Sequence, residues 1–359
     1  NKYACYLNNN IKQAYVNNDG YVGDSAFYNC DGILGDVIVE NNGPIGVRAF
    51  YDCDSISGNV TVKNSGNIAL QAFYDCDAIK SVDISNSGNV EERVFYSCDA
   101  MENAVISNKG YIGEYAFFET SITELPLFDS NTAIGKYAFS HTKIKKVTLP
   151  DNIVISEGVF SECKMLESVV VGNNVTLGKF AFNLSKDLAF SVKRYPNSND
   201  KMFYYVFSSP IKSITIGDNV IIGDNAFANA SSVETVTLGA NAKIGYMAFY
   251  NNQSLKNIDL SKVLEIGDYA FSAPAGSGDR LGGTTYEPCI SLKSITIPAS
   301  VTSIGQGAFE GCTALETATM SSALEAVPEN LFENCGKLGA IYIGPAVKTI
   351  GKAAFKNCV

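Results

Sequence analysis

A short phrase keeps returning along this chain, and it restricts the possible folds more than any other feature. It is clearest at Ile222-Gly223-Asp224-Asn225-Ala226-Phe227, and it runs on to a cysteine in Ala308-Phe309-Glu310-Gly311-Cys312. Its phenylalanine stands at 27, 50, 73, 95, 117, 139, 160, 182, 207, 227, 249, 271, 309, 332 and 355. Thirteen of the fourteen intervals lie between 20 and 25 residues. Self-similarity at such a period marks stacked supersecondary units, each burying its apolar face on its neighbours. A length of 359 residues, which would ordinarily suggest two or three domains, is therefore expected to form one continuous array.

Between the phrases the residues alternate with period two. Val60-Thr61-Val62, Val82-Asp83-Ile84, Val147-Thr148-Leu149, Ile214-Thr215-Ile216, Ile258-Asp259-Leu260 and Ile295-Thr296-Ile297 each read as a half-buried strand. Their apolar flanks point inward and the middle residue faces solvent on a shared parallel sheet. That outward position is rich in threonine (Thr61, Thr148, Thr215, Thr237, Thr296, Thr319), which sheet propensity explains more readily than a ligand ladder does. A second short apolar stretch follows, as in Val220-Ile221-Ile222, and then a glycine such as Gly46, Gly223 or Gly245. The glycine is expected to give a permissive backbone at a tight entry into a helix-like turn. Fifteen of the twenty phenylalanines are these anchors, each worth roughly 1.5–3 kcal/mol of burial.

The ten cysteines share this register. Eight lie three residues after an anchor ring, Cys5 keeps the step before Cys30, and Cys289 keeps it once an insertion after Phe271 is allowed for. All ten are thus expected at one structural position, running parallel about 4.8 Å apart rather than converging. Buried free thiols are the expectation, with inter-repeat disulfides or a metal site as alternatives that the register disfavours.

Ile-Gly-x-x-Ala-Phe-x-x-Cys-x-x-Leu-x-x-Ile-x-Ile resembles the BspA-like, Treponema-type class of leucine-rich repeats, over essentially the whole chain and best from about 205 to 359. Period and resemblance together lead to one expected fold, an α/β leucine-rich repeat solenoid. It is a curved right-handed stack of about sixteen 22–23-residue units, with a parallel sheet on the concave side and short helical turns on the convex side. The resemblance implies a secreted or surface-anchored bacterial protein with a role in adhesion or host-protein binding, and it transfers no catalytic site. The chain starts at Asn1 rather than Met and both ends fall inside the pattern, so a piece of a longer exported protein is expected.

Chemistry is sparse by comparison. A net charge of −10 disfavours nucleic acid and anionic lipid, and no apolar run approaches the roughly 18–20 residues of a membrane span. Gly276-Ser277-Gly278 and Gly282-Gly283 lack the flanking strand and helix of a phosphate cradle, and Thr284 stands where a P-loop needs lysine. His141 is the only histidine and reads as a solvated surface residue. No catalytic residue, cofactor or metal is assigned. The departures from the repeat are a degenerate loop at about 190–203 and an insertion at 273–288, rich in Gly, Pro and Thr, which is either a neutral excursion or a binding loop. The expected activity is noncatalytic binding of an extracellular protein or glycan, and the alternative is a spacer displaying another domain. Candidate contacts are Thr215, Thr237, Asp259, Thr296 and Tyr342 on the sheet face, and Asp279, Arg280 and Tyr286 in the insertion.

Overall fold

The computed structural model describes residues 1–107, 110–127, 132–184, 210–274, 288–320 and 323–358. They form a parallel β-solenoid. Strands Ala14–Asn18, Val37–Asn41, Asn59–Asn64, Ser81–Asn86 and Asn103–Ile106 pair in sequence order as one five-stranded sheet. A second five-stranded sheet joins Lys146–Leu149, Ser168–Val171, Ser213–Ile216, Thr235–Leu238 and Asn257–Ile258, and a third joins Ser294–Ile297, Thr317–Met320 and Ala340–Ile343. Every pairing is parallel, and the alternation read from the sequence holds. In Ser213–Ile216, for example, Ile214 and Ile216 are buried while Ser213 and Thr215 are exposed.

The second apolar stretch is a second ladder. It begins as single bridges, Val22 to Ile45 to Ile68 to Val90 to Ile112 to Ile134 to Ile155. It continues as paired strands from Val154–Ile155 to Ser303–Ile304, and separately as Ala326–Val327 with Thr349–Ile350. The glycine after this ladder serves a purpose other than the expected one. A Cβ at Gly46 would lie 2.6 Å from the Asp24 nitrogen and 2.7 Å from the Gly23 carbonyl carbon, and a Cβ at Gly245 would lie 2.7 Å from the Ile222 oxygen. Glycine is needed because adjacent turns touch backbone to backbone at this point.

The expected helical turns are absent among the described residues. The reason is visible in the backbone on either side of each ring. Arg48 and Asp52 flank Phe50 with φ of 54° and 58°, and Gln71 and Asp75 flank Phe73 with φ of 58° and 59°. A right-handed helix needs negative φ throughout. With left-handed residues at these two places the amides point to the next turn instead of along their own. Arg48 N–H donates to the Leu70 carbonyl (3.0 Å), Phe50 to Ala72 (2.7 Å) and Asp52 to Tyr74 (2.9 Å). The intervening amides close tight turns, as Ala49 does on Gly46 at 3.2 Å. The back of the solenoid is therefore a third inter-turn ladder.

Behind the sheet the anchor rings make one column. Phe27, Phe50, Phe73, Phe95, Phe117, Phe139, Phe160 and Phe182 stack in order, and the column continues through Phe227, Phe249, Phe271, Phe309, Phe332 and Phe355. Centroid spacings run from 4.7 Å at Phe27–Phe50 to 6.0 Å at Phe139–Phe160. Fourteen rings are described, joined by thirteen stacking steps, and the sixteen units expected are not reached. One unit is missing where the pattern decays. Phe182 stacks directly on Phe227, and Ser168–Val171 pairs directly with Ser213–Ile216, so the stack passes over the expected turn at Phe207. Phe207 itself and the loop at about 190–203 lie outside the described residues.

The thiols also depart from expectation at one point. Cys53 Sγ donates to the Phe27 carbonyl (2.9 Å), Cys76 to Phe50 (3.0 Å), Cys98 to Phe73 (3.1 Å) and Cys289 to Phe249 (3.4 Å), so these share one position. Cys5 does not share it. Its amide donates to Ala26 (2.6 Å) as Phe27 donates to Ala49, and its carbonyl accepts from Cys30 Sγ (2.9 Å) as that of Phe27 does from Cys53. Left-handed Tyr3 and Leu7 flank it. Cys5 thus takes the place of the ring in the first turn. All ten cysteines are unpaired.

Candidate functional site

The sheet face presents its middle residues in register. Thr215 lies between Val170 and Thr237, and Thr296, Thr319 and Tyr342 lie side by side. Thr215, Thr237, Asp259, Thr296 and Tyr342 are all exposed. They fall into two groups, because the ladder is interrupted between Asn257–Ile258 and Ser294–Ile297. Asp259 is engaged locally. Its carboxylate accepts the Ser261 amide at 2.8 Å, and the hydrogen bonds from Ser261 hold it below the usual carboxylate range. Asp279, Arg280 and Tyr286, with the glycines at 276, 278, 282 and 283, lie outside the described residues, and of the insertion only Ala273, Pro274 and Pro288 are described.

A break in the sheet face, not foreseen from the sequence, falls at Pro126. Thr123 N–H donates to Glu102 (3.2 Å) and Lys145 N–H donates to Thr123 (3.1 Å), so counting onward sets Pro126 level with Val105 and Thr148. Proline has no amide hydrogen for the ladder there. The first sheet ends at Asn103–Ile106 and the second starts at Lys146–Leu149. Leu127 is 92% exposed, whereas its register mates Ile106 and Leu149 are 6% and 2% exposed. A cleft of about 600 Å³ opens between the wall Thr123–Glu124–Leu125–Pro126–Leu127 and the wall formed by Lys145, Lys146, Thr148, Leu149 and Pro150. The legible signal was Leu125-Pro126-Leu127, a proline in a strand position.

The back of the solenoid carries an aromatic ladder that the repeat reading passed over. The residue after each anchor is Tyr28, Tyr51, Tyr74, Tyr96 and then Phe118, with ring centroids 4.9–5.0 Å apart. The recurrent Phe-Tyr pair was its signal. Each ring covers its neighbours' faces, so the ladder shows edges and hydroxyls to solvent and offers no flat platform for a sugar or base. Past Phe118 the same position is held by Ser140 and Ser161, and the lost bulk leaves a groove of about 530 Å³ walled by Tyr115, Tyr137 and Phe180. His141 sits at its edge, tilted 46° over Phe118 with centroids 4.7 Å apart and its Nδ1 2.9 Å from Ser140 Oγ. The histidine is exposed, as expected, but it is packed on a ring.

The thiols are poor nucleophiles where they stand. Burial pushes Cys163, Cys289 and Cys335 up to about 12, and Cys30 to about 11. Three or more His, Cys, Asp or Glu side chains come together in metal-binding fashion nowhere among the described residues. The carboxylates that do gather form an acidic stripe on the back of the early turns. There burial first, and then Asp52, Asp77, Asp31 and Asp75, raise Asp54 to about 6. Among the described residues no helix is long and apolar enough to cross a membrane.

Parallel ladders, one stacked ring per turn and a short strand repeated every 20–25 residues define a leucine-rich repeat solenoid. The family described as the BspA type leucine rich repeat region matches residues 20–142, 88–209, 196–275 and 278–359, and the chain belongs to it. No curated protein matches the chain. Among solved structures, a leucine-rich repeat protein from Bacteroides ovatus is similar over 94% of this chain and 80% of its own, at 22% identity and a TM-score of 0.46. A leucine rich cell surface protein from Faecalibacterium prausnitzii is 21% identical over 92% of this chain and 79% of its own, with a TM-score of 0.39. A T. pallidum leucine rich repeat protein is 22% identical over 42% of this chain and 64% of its own, with a TM-score of 0.33.

Proposed function

We propose that this chain is a noncatalytic binding module of a secreted or surface-anchored bacterial protein, which engages an extracellular protein or glycan through its sheet face. One observation carries the reading. The middle residues of successive strands, Thr215 with Thr237 and Thr296 with Thr319 and Tyr342, stand exposed in register. Rigid neighbouring strands fix the spacing of these groups, so a ligand meets them without ordering them first. The groups that could have served chemistry are committed elsewhere: the thiols are mostly buried, and the single histidine is packed on Phe118. A role as a spacer that displays another domain is the second reading, favoured by the unbroken ring column from Phe27 to Phe355.

The test is an array of glycans and of extracellular-matrix and plasma proteins, probed with the native chain, with Thr215→Lys/Thr237→Lys, and with residues 275–287 deleted. Binding that the lysine pair abolishes supports the sheet face. Binding lost only on deletion moves the site to the insertion, and no binding by any of the three leaves the spacer.

A further inference from the structure

We propose that the cleft at Pro126 is a docking site for an extended acidic peptide, which adds as a strand to the open edge of Lys146–Leu149. The proposal rests on the sheet-face reading above and names the partner's chemistry at one place on it. Among the described residues Lys146–Leu149 pairs on one side only, with Ser168–Val171. Across the cleft, the Lys145 amide to Thr123 is the last backbone bond between the walls among the described residues. The far wall then turns away, and Leu125 and Leu127 make no backbone bond to the edge among the described residues. An edge strand with unspent amides and carbonyls is a template for a further strand, the peptide supplying the hydrogen bonds that Leu125–Leu127 does not.

The side chains choose the peptide. In a chain of net charge −10, Lys145 and Lys146 are exposed, neither makes an ion pair among the described residues, and they outnumber the one carboxylate of the cleft lining, Glu124. Leu127 stands in the open on the opposite wall. A strand alternates its side chains between two directions. A peptide alternating acidic and apolar residues therefore sets carboxylates toward the lysines and apolar groups toward Leu127.

Fluorescence anisotropy with a labelled, end-blocked peptide alternating glutamate and valine tests this, beside a counterpart alternating lysine and valine. The acidic peptide is expected to bind saturably and the basic one not. Lys145→Glu/Lys146→Glu should weaken the acidic peptide by about tenfold or more and admit the basic one. Thr148→Pro, which removes the edge amide that faces the cleft and leaves the bonds to Ser168–Val171 in place, should also abolish binding while the protein stays folded. Absence of saturable binding to the native chain overturns the proposal. So does binding that survives Thr148→Pro in a folded protein, which would mark mere charge attraction. Thr215→Lys/Thr237→Lys should leave peptide binding intact, so failure of the general sheet-face reading on the array is told apart from failure here.

Discussion

Phe182 and Phe227 lie face to face, with ring centroids 5.1 Å apart and planes within 1°. All of residues 183–226 run between them in the chain, yet they are neighbours in the stack. The backbone repeats the step beside them, the Phe182 amide donating to the Ala226 carbonyl at 2.8 Å. The solenoid is held by such position-to-position contacts, and its energetics are those of a one-dimensional array.

Truncating a ring should therefore cost according to how many neighbours it has. Phe227 is fully buried between two rings, and Phe227→Ala should lose about 3–5 kcal/mol. Phe355 is half-buried and stacks on one side only, so Phe355→Ala should lose much less. Chemical denaturation of both variants checks the order, and equal losses would refute nearest-neighbour stacking.

Gly245 separates the two accounts of the back turns. If it opened a helix, Gly245→Ala would stabilise the fold by roughly 0.4–1 kcal/mol. Because its Cβ would come 2.7 Å from the Ile222 oxygen, the substitution should instead destabilise by about 1–3 kcal/mol. Gly339→Ala, whose Cβ meets nothing nearer than 3.9 Å, is the control and should be close to neutral. Thermal melts of the two variants give the sign directly.

How much of this was legible in the sequence depended on which forces leave a local pattern. Period-two alternation and the ring spacing are direct records of burial, so the strands and the ring column could be read from them. The left-handed residues could not, because Arg48, Gln71, Met247 and Tyr137 carry no signature of positive φ. That conformation is fixed by hydrogen bonds to the next turn, a non-local term. Cys5 was misplaced for a similar reason: its step to Cys30 is 25 residues, and only the backbone partners show which position it fills. On the candidate surface, Thr215 and Thr237 were readable from alternation. The cleft at Pro126 needed three turns seen together.

The acidic stripe should leave a mark on stability. Burial and the neighbouring Asp52, Asp77, Asp31 and Asp75 raise the Asp54 carboxyl to about 6, above its unfolded value. A raised folded-state value means that the folded chain holds the proton more tightly. The resulting stabilisation is complete at low pH, below the unfolded value, and is lost as pH rises through about 6. Asp54→Asn should remove that component, flattening the fall in melting temperature between about pH 4 and pH 6. An unchanged pH profile would show that its surroundings do not raise Asp54.

Thiol titration tests the cysteine assignment. In the folded protein only Cys5 and Cys358, the two that are partly exposed, should react quickly, and all ten should react after unfolding. Prior reduction should not change the unfolded count. A higher count after reduction would mean that some of the ten are paired.

The claim that the sheet face is the working face is tested most directly by crosslinking. A photoreactive phenylalanine analogue replaces Thr237 on the sheet or Tyr51 on the back, one at a time, and each protein is irradiated with a mixture of extracellular-matrix and plasma proteins. Both sites are solvent-accessible and their substitution leaves the core untouched. The account predicts a specific adduct from position 237, competed by unlabelled native protein, and none from position 51. A competed adduct from position 51 alone would place the binding surface on the aromatic back and contradict it.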